Sequence, residues 1–297
     1  MNYIIPKYSG FCAGVSVAVD AAYAMVGERS YMYGDVVHNP TVVRDLEARG
    51  LRRIDRIDEI GEDCVGARVL IRAHGTSRAV MDELRARGVE IVDKTCANVK
   101  RIHRLVEAAS ARGLDAIVVG TPNHPEVEGI VGWISTRSVV LHSLEDAKRI
   151  LPSMRFSEKG VFMVSQTTFN QAKYHEIHDY AASVIEHLEF HDTICNVTAN
   201  RQAEAKRLSR IADGCIVVGG RTSSNVNKLY EIMRESCGNV QLIESASELD
   251  MDAVRGTSLL VIMGGASTPE DSIAQVIERV RADCEARGEC FRRVEKV

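Results

Sequence analysis

Residues 68–87 read Arg-Val-Leu-Ile-Arg-Ala-His-Gly-Thr-Ser-Arg-Ala-Val-Met-Asp-Glu-Leu-Arg-Ala-Arg, and they contain the pattern on which the rest of the chain is built. The stretch opens with a short apolar run at 68–72, continues through a polar loop at 73–77, and ends in an amphipathic segment at 79–87. Short, mostly apolar runs are typical of parallel strands that are covered on both faces. The segment therefore predicts a strand, a loop and a helix.

The same order of elements recurs along the chain. Further apolar runs predict strands at residues 89–92, 116–119, 161–164, 215–218 and 258–263. Amphipathic segments predict helices at residues 99–112, 171–188, 201–211, 224–237 and 269–287. Because strands and helices alternate, the sequence predicts an α/β fold with parallel sheets.

The strand–loop–helix order recurs at a coarse period of about a third of the chain. We therefore predict three pseudo-repeated α/β units: residues 1–95 with the loop around Cys12, residues 96–192, and residues 193–297 with a C-terminal tail. Units of this size are too small to be robust separately, so we expect them to pack around a shared central site. In α/β proteins, the loops beyond the carboxyl ends of parallel strands bind ligands.

Composition and charge exclude several classes of protein. Among 297 residues, 37 Lys and Arg stand against 41 Asp and Glu, so a nucleic-acid binder that relies on bulk positive charge is excluded. No apolar run approaches the roughly 20 residues of a membrane span, and the first residues do not resemble a signal peptide. We expect a cytoplasmic protein without nucleic-acid or membrane partners.

Three of the eight cysteines lie in similar settings. Cys12, Cys96 and Cys195 each sit in a loop before a predicted helix, which for Cys195 is expected to open near Arg201. Helix N-termini favour thiolates, and three converging thiolates suggest a cluster with one iron left without a protein ligand. No Cys-x-x-Cys pair occurs, which argues against zinc ribbons, thioredoxin chemistry and small ferredoxins. The remaining five are expected to be small buried residues: Cys64, Cys215, Cys237, Cys284 and Cys290.

Other loops carry groups that suit an anion. Histidines in Gly-, Asn- and Pro-containing loops are good anion or proton contacts, and serines at a helix start suit a phosphate. The residues in such positions are His38, His74, His124, Ser223, Ser224, Asn225 and Ser267. Helix capping explains one serine but not the whole set. For the pair His175 and His178, a solvated helix face is favoured over a metal site.

No P-loop and no Gly-x-Gly-x-x-Gly after a strand occurs, so a nucleotide site lacks support. The residues alone thus predict an iron–sulfur α/β enzyme that acts on a small phosphorylated molecule.

A series of ordered motifs resembles a known family. From residue 10 to residue 267 the chain contains, in order, GFCAGV, VVHN, AHG, TC, HPEVEG, QTT, DTIC with NRQ, SSN and GAS. These closely resemble the 4-hydroxy-3-methylbut-2-enyl diphosphate reductases, which catalyse the last step of the methylerythritol phosphate route to isoprenoids. The match extends over nearly the whole chain.

The resemblance implies a fold, a cofactor and roles for individual residues. The fold would be a trefoil of three α/β units around a [4Fe–4S] cluster held by Cys12, Cys96 and Cys195. Glu126 and Thr167 would relay a proton to the leaving hydroxyl, and the electrons would come from a donor such as ferredoxin or flavodoxin. Substrate would be bound by Thr167 and by His38, His74, His124, Ser223, Ser224, Asn225 and Ser267.

Some positions near the cysteines depart from the family pattern. The family usually has Asp-Ala-Thr-Cys-Pro where this chain has Asp93-Lys94-Thr95-Cys96-Ala97, and Asn98 and Asn196 are unusual neighbours of the cysteines. None of these departures removes a ligand or a substrate contact. They bear on reduction potential, electron donor and product ratio.

Two alternatives share part of the pattern. Quinolinate synthase also combines about three α/β units with three cysteines, but its carboxylate substrates would favour arginine clamps. A non-catalytic iron–sulfur sensor needs the cysteines but gives no reason for Glu126, Thr167 and the Ser-Ser-Asn sequence together.

Overall fold

The computed structural model describes residues 1–61 and 64–295. The strands of this part are β1 (Asn2–Ile4), β2 (Ser30–Tyr33), β3 (Arg52–Ile54), β4 (Arg68–Ile71), β5 (Glu90–Asp93), β6 (Asp115–Val119), β7 (Ser138–Leu141), β8 (Val161–Ser165), β9 (Leu188–Phe190), β10 (Gly214–Val218), β11 (Val240–Ile243), β12 (Leu259–Gly264) and β13 (Arg292–Arg293). The α-helices are α1 (Ala13–Ala24), α2 (Pro40–Ala48), α3 (Arg78–Ala86), α4 (Ala97–Ala111), α5 (Pro125–Val131), α6 (Leu144–Ile150), α7 (Gln171–Val184), α8 (Asn196–Ser209), α9 (Ser224–Arg234), α10 (Met251–Val254) and α11 (Glu270–Ala286).

The strands form three small sheets in which every pairing is parallel. Their strand orders are β3-β2-β4-β5, β7-β6-β8-β9 and β11-β10-β12-β1-β13. The predicted α/β class with small parallel sheets is therefore confirmed, and all six predicted strands occur within one residue of their expected bounds. None of the helices in the described ranges is long and apolar enough to cross a membrane.

The chain divides into two compact units. One unit comprises Met1–Ser16, His38–Val42 and the described residues from Asn196 onward, and it contains the five-stranded sheet. Alternate residues of β10 enter two separate cores: Ile216 and Val218 pack with apolar residues of α11, whereas Val217 packs with α8 and α9. Helices therefore cover both faces of this sheet, which explains why its central strands are apolar throughout.

The other unit comprises Val17–Val37 and Val43–Cys195 and contains both four-stranded sheets. On the sheet of β2–β5, Val69 and Ile71 pack with Leu84 of α3. On the sheet of β6–β9, Val118 and Val164 pack with apolar residues of α4 and α5. Each sheet thus has its own core, and the loops after its strands carry the site residues.

Three predicted helix bounds were wrong by three residues or more, and one of them is the end of the helix expected at 224–237, which ends at Arg234. The helix expected at 171–188 ends at Val184, because residues 188–190 form β9 beside β8. No glycine or proline marks this change in the sequence, so the helix was predicted too long. The helix expected near Arg201 begins five residues earlier, at Asn196. Its first turn is rich in polar residues, so helical spacing of apolar residues did not reveal it.

Candidate functional site

The three cysteines singled out by the sequence occupy equivalent local positions. Cys12, Cys96 and Cys195 each lie one residue before a helix, at the starts of α1, α4 and α8. In the described part of the chain none of the three forms a disulfide, and all three have intermediate exposure. Among the other cysteines Cys64, Cys215, Cys237 and Cys284 are buried as expected, whereas the expectation was wrong for Cys290, which is exposed.

In the unit that ends at Cys195, two of the three cysteine loops come together. The backbone N–H of Cys96 donates to the carbonyl of Ala73 at 3.0 Å, which joins it to the loop after β4. Asn98, in the first turn of α4, reaches Cys195: its Nδ2 donates a hydrogen bond to the Sγ at 3.2 Å. The helix start that carries Cys96 is therefore in direct contact with the Cys195 sulfur.

In the unit that contains Met1–Ser16, a buried arginine holds the loop of Cys12. The N–H of Cys12 donates to the carbonyl of Ala266 at 3.3 Å. The guanidinium of Arg201 is buried and donates to the carbonyls of Gly264 at 3.0 Å and Gly10 at 2.5 Å. Arg201 had no predicted role, although it stands in the NRQ motif that carried part of the resemblance. It joins the loop before α1 to the loop after β12.

The predicted phosphate-binding serines are close together in this unit. Ser223 is the N-cap of α9, and its Oγ accepts a hydrogen bond from the Oγ of Ser267 at 3.3 Å. Both serines and the neighbouring Asn225 are buried. Within the described part of the chain, neither polar atom of the Asn225 side chain has a hydrogen-bond partner. A buried amide without a partner is costly, so this side chain is suited to a polar ligand.

His38 lies beside the serine loop. It precedes Asn39, whose side chain caps α2 by accepting from the N–H of Thr41 at 3.0 Å. A Cβ atom at Gly220 would stand 2.2 Å from the carbonyl oxygen of His38, so only glycine permits this approach. The backbone of the His38 loop is thus packed against the turn that leads to Ser223.

His74 and His124 are neighbours in the unit that ends at Cys195, with ring centroids 5.4 Å apart in an edge-to-face arrangement. Gly75 has a φ of +70°, and a Cβ there would stand 2.8 Å from the ring of His103, so the loop after β4 requires glycine. His103 is buried against Trp133, and burial lowers its pKa to about 4. A neutral ring therefore supports the loop that presents His74.

Glu126 is the only buried carboxylate in this loop region of the described chain. One of its oxygens accepts from the N–H of Thr167 at 2.6 Å, and the other accepts from the Thr167 hydroxyl at 3.0 Å. The carbonyl of Thr167 in turn accepts from the N–H of Cys195 at 3.0 Å. Glu126, Thr167 and Cys195 thus form one continuous hydrogen-bonded chain.

Burial makes Glu126 an acid at neutral pH. Only 1% of its surface is exposed, and this burial raises the pKa of its carboxyl to about 7, although both hydrogen bonds from Thr167 favour the ionised form. The N–H of Glu126 donates to Nδ1 of His124 at 3.1 Å, so this imidazole nitrogen is an acceptor and the ring proton resides on Nε2. Glu126 can therefore donate a proton, and His124 can donate a hydrogen bond through its Nε2.

Cys12, Cys96 and Cys195, called the donor set below, suit an iron–sulfur cluster better than a site for a single metal ion. Three partly exposed cysteines at helix starts, none of which forms a disulfide among the described residues, supply the thiolate ligands that such clusters use. The histidine pair on α7 does not form a rival site, since His175 contacts Asp192 at 3.1 Å while His178 contacts a different carboxylate, Asp179, at 3.0 Å. His175 is exposed as expected for a solvated helix face, whereas His178 is half-buried and packs against the ring of Phe190.

Comparison with known proteins agrees with this geometry. A family model described as LytB protein matches residues 4–281. A 4-hydroxy-3-methylbut-2-enyl diphosphate reductase of Caldanaerobacter subterraneus subsp. tengcongensis is 37% identical over 286 residues, which cover 95% of this chain and 97% of that protein. A reductase of the same name from Aquifex aeolicus is 34% identical and covers 97% and 98% of the two chains.

Solved structures share the fold. The E-1-hydroxy-2-methyl-but-2-enyl-4-diphosphate reductase of Plasmodium falciparum superimposes with a TM-score of 0.88 over 100% of this chain and 92% of that chain, at 23% identity. A structure of (E)-4-hydroxy-3-methyl-but-2-enyl diphosphate reductase, the terminal enzyme of the non-mevalonate pathway, is 33% identical with a TM-score of 0.66 and covers 95% and 99% of the two chains. Since the family model and these relatives extend over nearly the whole length, the chain belongs to the LytB family.

Proposed function

We propose that this protein reduces (E)-4-hydroxy-3-methylbut-2-enyl diphosphate to isopentenyl diphosphate and dimethylallyl diphosphate, the last step of the methylerythritol phosphate pathway. The relatives that match nearly the whole chain bear the name of this reductase. The structural observation that carries the proposal is the chain of hydrogen bonds from Cys195 through Thr167 to the buried carboxyl of Glu126. It connects a cysteine of the donor set to a proton donor.

The cofactor of this proposal is a [4Fe–4S] cluster held by Cys12, Cys96 and Cys195, with one iron not ligated by protein. When bound, it supplies electrons one at a time and a Lewis-acidic iron. The three thiols support this assignment because each lies at the start of a helix and is partly exposed, so a cluster can reach its sulfur. The reaction consumes two electrons and two protons, releases the hydroxyl group as water, and places the second proton on carbon.

The first proton is assigned to Glu126. Hydroxide is a poor leaving group, so C–O cleavage needs an acid. When protonated, Glu126 donates to the hydroxyl of Thr167, which frees the Thr167 proton for the substrate. With a pKa of about 7, the carboxyl keeps a large protonated fraction at neutral pH. Thr167 thus acts both as a relay and as a substrate contact.

The diphosphate is assigned to the serines, histidines and the unpartnered amide. Ser223 and Ser267 contribute hydroxyls at a helix start, and Asn225 contributes a buried amide whose polar atoms lack partners among the described residues. His124 contributes Nε2–H, because its Nδ1 accepts from the backbone. Together with His38, His74 and Ser224, these groups would supply the binding energy that orients the small isoprenoid arm.

The three-unit organisation stays part of the proposal. The sheets of β2–β5 and β6–β9 lie inside segments 1–95 and 96–192, and β10–β13 lie inside segment 193–297. The first segment also lends β1 to the third sheet, where β1 pairs with β12. This supports a repeat of three α/β units whose ends are interleaved.

The electron donor and the compartment complete the proposal. Each turnover requires a low-potential, one-electron protein such as ferredoxin or flavodoxin. A cytoplasmic location suits eight cysteines that form no disulfide in the described part of the chain, because disulfides are rare in that reducing compartment.

The test is turnover of the anaerobically purified protein with the diphosphate substrate and reduced methyl viologen. We expect loss of the substrate with formation of both isoprenoid diphosphates. A cluster-loaded protein that leaves this substrate unchanged but forms quinolinate in a parallel assay, supplied with the carboxylate substrates of quinolinate synthase, would be a quinolinate synthase. A loaded protein that turns over neither substrate would be a sensor.

A further inference from the structure

The amide of Asn98 contacts a sulfur that belongs to another part of the sequence. Asn98 lies in the first turn of α4, two residues after Cys96, and its Nδ2 donates to the Sγ of Cys195 at 3.2 Å. The two residues are 97 positions apart in the chain. The contact is therefore tertiary. It joins Asn98, a near neighbour of Cys96, to Cys195, which is itself a member of the donor set.

We propose that Asn98 tunes the reduction potential of the cluster through this hydrogen bond. The inference rests on the proposed function, since it requires that Cys195 ligates a cluster. A donor aimed at a ligating sulfur withdraws negative charge from it, and this stabilises the reduced, more negative state over the oxidised one. Asn98 thus raises the potential, which makes the cluster easier to reduce. Asn98 is a positioning residue, since it acts on the sulfur and not on the substrate.

The surroundings of Asn98 support an electrostatic role over a packing role. Its side chain is exposed, so burial of apolar surface gains nothing from it. α4 is held instead by Ile102, Val106 and Ala109, which are buried in the core with residues of β6 and β8. An exposed amide at this position has a specific effect on one neighbour, the sulfur of Cys195.

Asn196 provides a matched control. It is also an asparagine beside a cysteine of the donor set, it is also exposed, and it also begins a helix. Within the described residues its side chain makes no hydrogen bond to a sulfur. Of these two asparagines, Asn98 is the one that contacts a cysteine sulfur in the described part of the chain.

The experiment is a redox titration of anaerobically purified, cluster-loaded protein, followed by the electron paramagnetic resonance of the reduced cluster. Wild type is compared with Asn98→Leu, Asn98→Asp and Asn196→Leu at matched iron content. We expect the midpoint potential to become more negative in Asn98→Leu. We expect a larger shift in the same direction in Asn98→Asp, where a carboxylate faces the sulfur. Asn196→Leu is expected to retain the wild-type potential.

A second readout is specific to the hydrogen bond. Proton hyperfine spectra of the reduced wild-type cluster, recorded in H2O and in D2O, should show an exchangeable coupling that is missing in Asn98→Leu and present in Asn196→Leu. Equal potentials in wild type and both Asn98 variants would overturn the inference while the proposed reductase activity stands. If Asn98→Leu assembles no cluster, the near-isosteric Asn98→Asp decides the outcome alone. A wild-type protein without a cluster would overturn the proposed function as well.

Discussion

Both carboxylate oxygens of Glu126 accept hydrogen bonds from the same residue, Thr167, through its backbone N–H at 2.6 Å and its hydroxyl at 3.0 Å. This arrangement holds the carboxyl in one orientation while burial raises its pKa to about 7. Two donors on one carboxylate would ordinarily keep its pKa low, so desolvation outweighs them here. The consequence is a carboxyl at a fixed position that is still partly protonated near neutral pH.

Replacement of Glu126 should abolish most of the activity without removing the cofactor. Glu126→Gln keeps the shape of the side chain but has no acidic proton, so we expect kcat to fall by ~10²–10⁴. Turnover is measured at matched iron content. Glu128→Gln, on the exposed face of the same helix, is the control and should lose little. A kcat above a tenth of wild type would assign the acid to another group, with His124 the next candidate.

The pH dependence of turnover should reflect the same carboxyl. Because the acid form of Glu126 is the active one, kcat should be constant below pH 7 and should decline as the pH rises through about 7. The measurement is a kcat–pH profile with a chemical reductant held in excess at each pH. Glu126→Gln should lose this decline along with the rate. A wild-type profile that rises through pH 7 would contradict the role of a general acid.

Loss of a donor-set cysteine should remove the cluster. Cys12→Ser, Cys96→Ser and Cys195→Ser are each expected to lose most of the iron and the brown absorbance of the anaerobic protein, since thiolates are the ligands. Cys64→Ser and Cys290→Ser, one buried and one exposed, should keep both. Iron quantification with visible spectroscopy decides the matter. Wild-type iron content in Cys96→Ser would exclude the proposed ligand set.

Loss of a single donor to the diphosphate should weaken substrate binding. A hydrogen bond to a charged group contributes ~1.5–3 kcal/mol, so Ser223→Ala and His74→Ala should each raise KM by roughly ten- to a hundredfold. Ser223 also caps α9, and Ser143→Ala controls for this because Ser143 caps α6 in the same way. Steady-state kinetics and thermal unfolding are measured for all three variants. Unchanged KM in both site variants would place the diphosphate elsewhere.

Replacement of Asn225 should have opposite effects on the stability of the ligand-free protein and on the binding of the diphosphate. Its buried amide lacks partners within the described residues, so Asn225→Ala removes an uncompensated polar group and should leave the Tm of the ligand-free protein unchanged or higher. The same change should raise KM and abolish the increase in Tm on addition of inorganic diphosphate. A large drop in Tm without ligand would mean that the amide has a structural role instead.

The sequence by itself determined the class of the fold and the identity of the candidate residues. Short strands such as 161–164 and 215–218 could be predicted, because parallel strands that are covered on both faces are apolar throughout. The positions of Cys12, Cys96 and Cys195 were readable because each precedes a helix in its own loop. Local sequence patterns report local structure, and these features are local.

The C-terminal end of α7 and the N-terminal end of α8 were predicted less well from the sequence. β9 follows α7 without a break, and only its pairing with β8 makes residues 188–190 a strand. The start of α8 is polar, so the periodicity of apolar residues begins too late to reveal it. For β9 the conformation thus depends on a neighbour that is remote in the chain, whereas the start of α8 lacks the apolar spacing on which the prediction relied.

Only the tertiary structure decided how the candidate residues act. Nothing in the sequence shows that Arg201 holds the carbonyls of Gly10 and Gly264, or that Asn98 reaches the sulfur of Cys195. The pKa of Glu126 likewise depends on its burial, which the sequence around it does not reveal. Desolvation and hydrogen bonding act over a few ångströms in space, whereas the partners are separated by tens to hundreds of residues in the chain. The sequence supplies the chemical groups, and the packing of the chain fixes their charge and their partners.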